Sequence, residues 1–240
     1  MSDLLTLSGV HTHIGRYHIL HGVDFVVPTG QTMMLLGRNG AGKTSTLRTI
    51  MGLWQASSGE ISLAGERIEH LATPDIARRG IGYVPESMAV FSDLSVKENL
   101  VLAARDGPLD DKRLDWIFGF FPALRRFWLS RAGSLSGGQK QMLSIARAIA
   151  EPRKLLLIDE PTKGLAPAIV MALIECLAEI KRGGATILLV EQNFHAARQL
   201  GDSVVVMDNG RIMHRGAMSA LAEDAALQER LLGLSLEAHQ

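Results

Sequence analysis

Residues Gly37-Arg38-Asn39-Gly40-Ala41-Gly42-Lys43-Thr44, with Ser45 behind them, have the types and spacing of a loop that closes around phosphate. Glycines let backbone N–H groups reach phosphate oxygens without Cβ clashes, and a helix opening near Gly42 adds the positive end of its dipole. Lys43 then offers a point charge to the β- and γ-phosphates, and the Thr44 hydroxyl a ligand to Mg²⁺. A second pair, Asp159-Glu160, ends the apolar run 155–158. That run is too apolar for a half-exposed strand, so it predicts a central parallel strand delivering Asp159 at the C-terminal edge of a sheet, beside a metal-bound nucleotide. Glu160 is then placed to polarise a water for in-line attack on the γ-phosphate, although the same carboxylate could cap a helix starting after Pro161.

A third segment, Leu135-Ser136-Gly137-Gly138-Gln139, precedes that strand. Its hydroxyl, its glycine N–H groups and the helix N-terminus behind them make a second anion site. Met142, Ile145, Ala146 and Ile149 follow at the spacing of a buried helical face.

The elements that position these groups alternate along the chain. Short strands are expected at 4–10, 23–27 (closed by Pro28-Thr29-Gly30) and 61–63, with a further strand at 81–84. From 87 to 150 the pattern is helical, with Trp116, Phe118, Phe120, Phe121, Phe127 and Trp128 packing among the helices. A helix is expected over 166–182, a stop at Gly183-Gly184 and a strand over 186–190. A hairpin follows, 204–207 and 212–213, around an Asn209-Gly210 turn, and then a single amphipathic helix over 218–232. His11, His13, His18 and His21 are spread over a strand and its turn without Cys or carboxylate support, so solvated edge positions are expected and no zinc site.

The 240 residues are 47% hydrophobic and carry a formal charge of zero, enough apolar content for a real core and no footprint for nucleic acid. The single Cys176 excludes an internal disulfide, fits a reducing compartment and reads as a core residue. No apolar run has the length of a membrane span and no basic, then apolar, leader opens the chain, so a membrane role is expected to be peripheral.

With the phosphate loop, the Leu135–Gln139 signature and the Asp159-Glu160 strand in this order, residues 5–216 resemble the nucleotide-binding domain of ATP-binding cassette (ABC) proteins. The resemblance implies an α/β P-loop NTPase of the ABC ATPase type. It divides the chain into a RecA-like core with an antiparallel β subdomain over the base and ribose (1–86 and 151–240) and an inserted helical subdomain (87–150). It implies ATP and Mg²⁺ as ligands, with Asp159, Thr44 and Glu86 on the metal side and Glu160 as base. It also implies a head-to-tail dimer in which 135–139 faces the partner's γ-phosphate, so that a monomer is a poor ATPase.

Against the family pattern, several positions depart. Glu86 stands where most members have a γ-phosphate-contacting glutamine, and Gln192 where a switch histidine is expected; an amide donates to phosphate but exchanges no proton near neutral pH. His195 is not at the matching position and reads as a helix-face residue. Ala166 replaces an Asp that communicates across the dimer, and Ile14 aligns with the adenine-stacking aromatic, leaving Tyr17 as the nearest ring.

The segments Val84-Pro85-Glu86, Gly164-Leu165-Ala166-Pro167 and Val190-Glu191-Gln192-Asn193 resemble the second ATP-binding subunit of branched-chain amino acid importers, a branch shared with urea and short-chain amide importers. That resemblance implies an inner-membrane assembly reached from the cytoplasm: a different ATPase subunit as heterodimer partner (a homodimer being the alternative), two permeases contacted through 87–100, and a periplasmic binding protein. A soluble ABC machine acting on nucleic acid or in translation is disfavoured by the missing coiled-coil insertion, second cassette and basic tract. A phosphotransferase is disfavoured by the signature itself.

Overall fold

The computed structural model describes residues 2–104 and 107–233. Two sheets organise it. The first is antiparallel, in the order β2-β1-β4-β5, from β1 (Asp3–Ile14), β2 (Tyr17–Pro28), β4 (Ala56–Leu63) and β5 (Glu66–Arg67). The second has the order β10-β9-β3-β8-β7-β6, from β3 (Thr32–Gly37), β6 (Ile81–Val84), β7 (Leu155–Asp159), β8 (Thr186–Val190), β9 (Ser203–Asp208) and β10 (Arg211–Ala217). Its first five strands from the β6 side run parallel, and β10 closes it antiparallel through the Asn209-Gly210 hairpin.

Every residue of β7 and β8 is buried, as strands covered on both faces require. Side chains alternate between two cores. Met33, Leu35, Leu155, Leu157, Leu188 and Val190 pack towards the antiparallel sheet and α1 (Lys43–Ile50). Met34, Leu36, Leu156, Ile158, Ile187 and Leu189 pack towards the opposite layer.

That second layer holds α3 (Val96–Val101), α4 (Asp111–Phe120), α5 (Pro122–Arg126), α6 (Gly137–Ala148), α7 (Pro167–Arg182), α8 (Phe194–Leu200) and α9 (Met218–Glu223); α2 (Thr73–Arg78) precedes β6, and α10 (Ala225–Leu232) ends the described chain. Leu173, Ile174, Leu177 and Ile180 form the buried stripe of α7, and Cys176 lies among them with its thiol pushed up to about 12 by burial, inert as a core residue. Trp116 meets Phe120 edge-on at 5.3 Å and Phe118 meets Trp128 at 5.4 Å, while Phe121 is fully buried, so the aromatic cluster is packing.

Several local expectations are corrected. The first strands are much longer than 4–10, 23–27 and 61–63, because polar His, Thr and Ser positions continue the ladder through backbone pairing. Residues 87–95 are not helical; helix begins at Val96, where Ser95 and Glu98 form a reciprocal capping box. Buried Asn99 braces the loop before it, accepting from Phe91 N and donating to the carbonyls of Phe91 and Ser95. In α6, Ile149 is buried but lies past the helix end, and Met142 is only half-buried. The tail is two helices, not one, because Asp224 leaves helical geometry and its carboxylate caps α10 by accepting from Leu227 N at 2.9 Å. The helix expected from 166 starts at Pro167, with Ala166 as its N-cap residue.

Candidate active site

The loop between β3 and α1 turns where only glycine fits. Gly37 has φ 144° and a Cβ there would lie 2.2 Å from the Met207 carbonyl oxygen; Gly42, at φ 105°, is wedged against Leu20 and Gly210. The loop is tied to the hairpin by Gly210 N donating to Ala41 O at 2.9 Å, and it closes on itself through Ala41 N to Arg38 O at 3.1 Å. Lys43 opens α1 and donates to the carbonyls of Gly37 (2.9 Å) and Arg38 (3.1 Å). Burial makes its ammonium give up a proton more readily than usual, against the opposing pull of Glu160 and Asp159. Arg38, Asn39 and Gly40 are exposed or half-exposed along the rim, and Thr44 and Ser45 occupy the first turn of α1.

Asp159 ends β7 fully buried, with Oδ1 accepting from the Thr44 hydroxyl at 3.2 Å and Oδ2 without a hydrogen-bond partner. Burial above all, helped by Glu160 and Glu86 and partly opposed by the Thr44 hydrogen bond, pushes its carboxyl up to about 6. An orphaned, buried carboxylate oxygen beside a hydroxyl fits a hard divalent cation held by one carboxylate and substrate phosphates, as Mg²⁺ usually is. Among the described residues no three or more His, Cys, Asp or Glu side chains form a metal cage.

Glu160 follows with φ +46°, a left-handed conformation costing a non-glycine residue about 1 kcal/mol or more and turning its carboxylate along the sheet edge. Its N–H donates to Val190 O, which fixes the turn to β8. Gln192 Nε2 donates to Glu160 Oε1 at 2.6 Å and to Asn39 Oδ1 at 2.9 Å, joining the end of β8 to both the acidic turn and the phosphate loop. Lys43 Nζ lies 3.9 Å from the same Glu160 oxygen. Glu86, beyond β6, pairs with Lys163 at 2.6 Å. The phosphate-loop residues, Asp159, Glu160, Gln192 and Glu86 thus meet at one sheet edge. A cavity of about 270 Å³ lined by Gly37, Arg38, Asn39, Glu191 and Gln192 opens beside them.

The signature lies elsewhere on the surface. Ser136 caps α6, its Oγ accepting from Gln139 N at 3.3 Å while Gln139 Oε1 accepts from Ser136 N at 2.9 Å. Gly137 and Gly138 are exposed or nearly so, Leu135 is buried, and none of the five is bonded to the phosphate loop. Tyr17 faces Ile14 across the β1–β2 turn, 69% and 36% exposed respectively. His195 is exposed on α8 and bonds Gln199 at 2.8 Å.

Contrary to the expected spread, the four histidines gather on β1 and β2. His13 and His21 pack on His18 at 4.1 and 4.0 Å between ring centroids, and His11 Nδ1 is 3.0 Å from His18 Nε2. They gather because register pairs 11 with 21 and 13 with 18.

Two residues receive no role from the sequence. Buried Glu191 accepts from Thr162 N and Oγ1 and from the N–H groups of Gln192 and Asn193, so it locks the turns after β7 and β8 together; burial raises its carboxyl above the ordinary value. Its signal was present: a carboxylate directly after an all-apolar strand, as at Asp159. Lys163 had no comparable signal.

Among known proteins, the sequence pattern of the family described as "ABC transporter" matches residues 20–163, more than half of the chain. The high-affinity branched-chain amino acid transport ATP-binding protein BraG of Pseudomonas aeruginosa is 40% identical over 96% of this chain and 100% of its own length. The probable branched-chain amino acid transport ATP-binding protein LivF of Archaeoglobus fulgidus is 34% identical over 90% of this chain and 93% of its own. A solved ATP-binding subunit of an ABC transporter superposes with a TM-score of 0.82 at 33% identity, covering 96% of each chain. Sequence order, sheet-edge geometry and these likenesses agree, and the chain belongs to the ABC transporter family as an ATP-binding, ATP-hydrolysing subunit.

Proposed function

We propose that this chain powers an importer of branched-chain amino acids or related small amino acids and amides. The observation that carries the reading is the 40% identity to BraG over that protein's whole length. In this reading the chain sits as a peripheral subunit on the cytoplasmic face of the inner membrane. The described residues of 1–86 and 151–240 form the nucleotide-holding core, and those of 87–150 the helical subdomain.

The chemistry we assign follows from the sheet edge. Backbone N–H groups of 37–42 and Lys43 hold the phosphates, with Ser45 behind them in α1. Lys43 leaves the Gly37 and Arg38 carbonyls to do so. Thr44, Asp159 and Glu86 would hold Mg²⁺, which when bound offsets phosphate charge. Glu160 accepts the proton of the attacking water, and Gln192, already bonded to it, orients the carboxylate and, on releasing Asn39, donates towards the γ-phosphate. Tyr17 or Ile14 covers the adenine. Leu135-Ser136-Gly137-Gly138-Gln139 completes the ATP site of a second ATP-binding subunit, most economically a different chain, since Gln192 and Ala166 lack the proton exchange and the carboxylate of the usual pattern. Permeases dock at a cleft of about 680 Å³ whose wall includes Trp54, Ser87, Met88 and Ala89, with exposed Leu53 along its rim.

Uptake tests the assignment. Cells lacking the gene should lose saturable leucine uptake and regain it with the wild type but not with Glu160→Gln. Undiminished uptake, with MgATP binding by the purified chain intact, would refute the substrate class.

A further inference from the structure

We propose that Lys163 is a positioning residue of the hydrolytic site: its ammonium ties the carboxylate beyond β6 to the one after β7 and offsets the negative charge both bring to the phosphate-facing edge. This rests on the ATPase reading above. Lys163 Nζ lies 2.6 Å from Glu86 Oε1 and 3.3 Å from Glu160 Oε2. The backbone sets that reach, since Lys163 N donates to Glu160 O at 3.2 Å and folds the turn back over the carboxylate. Thr162, one residue earlier, is pinned on both N and Oγ1 by buried Glu191.

The two oxygens of Glu160 are therefore guarded differently. Oε1 accepts from Gln192, while buried Oε2 faces the Lys163 ammonium at 3.3 Å. Glu86, Asp159 and Glu160 bring three negative charges to the edge, and Lys43 and Lys163 bring two positive ones, with Arg48 acting on Asp159 from α1. Without Lys163 an anionic polyphosphate would meet an uncompensated carboxylate. Because Lys163 and Glu86 are 57% and 42% exposed, solvent screens the pair and the effect is moderate.

Binding of ATP in EDTA, without Mg²⁺ and without turnover, reads this charge directly. Measured by titration calorimetry, Lys163→Met should weaken ATP about threefold to fivefold. Lys163→Arg should restore it, and Glu86→Gln with Lys163→Met should return close to the wild type. Lys163→Met binding as tightly as the wild type, or the double variant staying as weak as Lys163→Met, would overturn the inference while leaving the ATPase reading intact. A wild type that binds ATP neither in EDTA nor with Mg²⁺, indistinguishable from Lys43→Ala, would overturn both.

Discussion

Replacing Asp159 by Asn should stabilise the nucleotide-free protein while removing its response to Mg²⁺. The carboxylate is fully buried at the end of β7, one oxygen held by Thr44 and the other unpartnered. Burial lifts it from an ordinary 3.8 to about 6. The folded chain thus holds the proton more tightly than the unfolded chain, and stability falls as pH rises through roughly 4 to 6. Above that window the ionised group costs about 3 kcal/mol, from 1.36 kcal/mol per pH unit. An amide keeps the shape and a bond to Thr44 without the charge. For a chain of this size, the variant should melt about 6–12 °C higher at pH 7.5, with the gain shrinking towards pH 4.5. Scanning calorimetry at the two pH values, with and without MgATP, measures both effects. A variant that melts no higher than the wild type at pH 7.5, or one still stabilised by Mg²⁺ beyond ATP alone, would refute the account of Asp159 as a desolvated carboxylate awaiting a cation.

Glu160→Gln should retain ATP binding and lower phosphate release at least about a hundredfold, as loss of a general base does; gel filtration with ATP should show a persistent dimer, and wild-type turnover would remove the base assignment. Gln192→His should raise turnover if proton exchange at this position limits the site, with a new dependence on a group titrating near neutral pH; an unchanged rate and pH profile would show that the amide at Gln192 suffices.

Much of the architecture could be read from the chain because its signals are local. An all-apolar 155–158 run, a Gly-rich turn and a Lys-Thr pair specify strand, loop and helix with little help from distant residues, and Asn209-Gly210 marks its own hairpin. What could not be read depends on register or on groups far apart in sequence. The histidine cluster exists only because β1 and β2 pair 11 with 21 and 13 with 18. Lys163 meets Glu86 across 77 residues, and Glu191 reaches Thr162 across 29, contacts with no periodicity to betray them. The break at Asp224 lost out to a helical hydrophobic pattern that continued through it, although its capping side chain favours a new start.

The central claim is that ATP is hydrolysed at the Lys43, Asp159 and Glu160 edge only when a second subunit supplies the Ser136 segment. Phosphate release per chain, measured at saturating MgATP over a wide range of protein concentrations, tests it most directly. The account predicts that this specific rate climbs with concentration, or on adding the partner subunit, and that Glu160→Gln abolishes the climb. A specific rate that is constant down to dilutions where the chain is monomeric would contradict it.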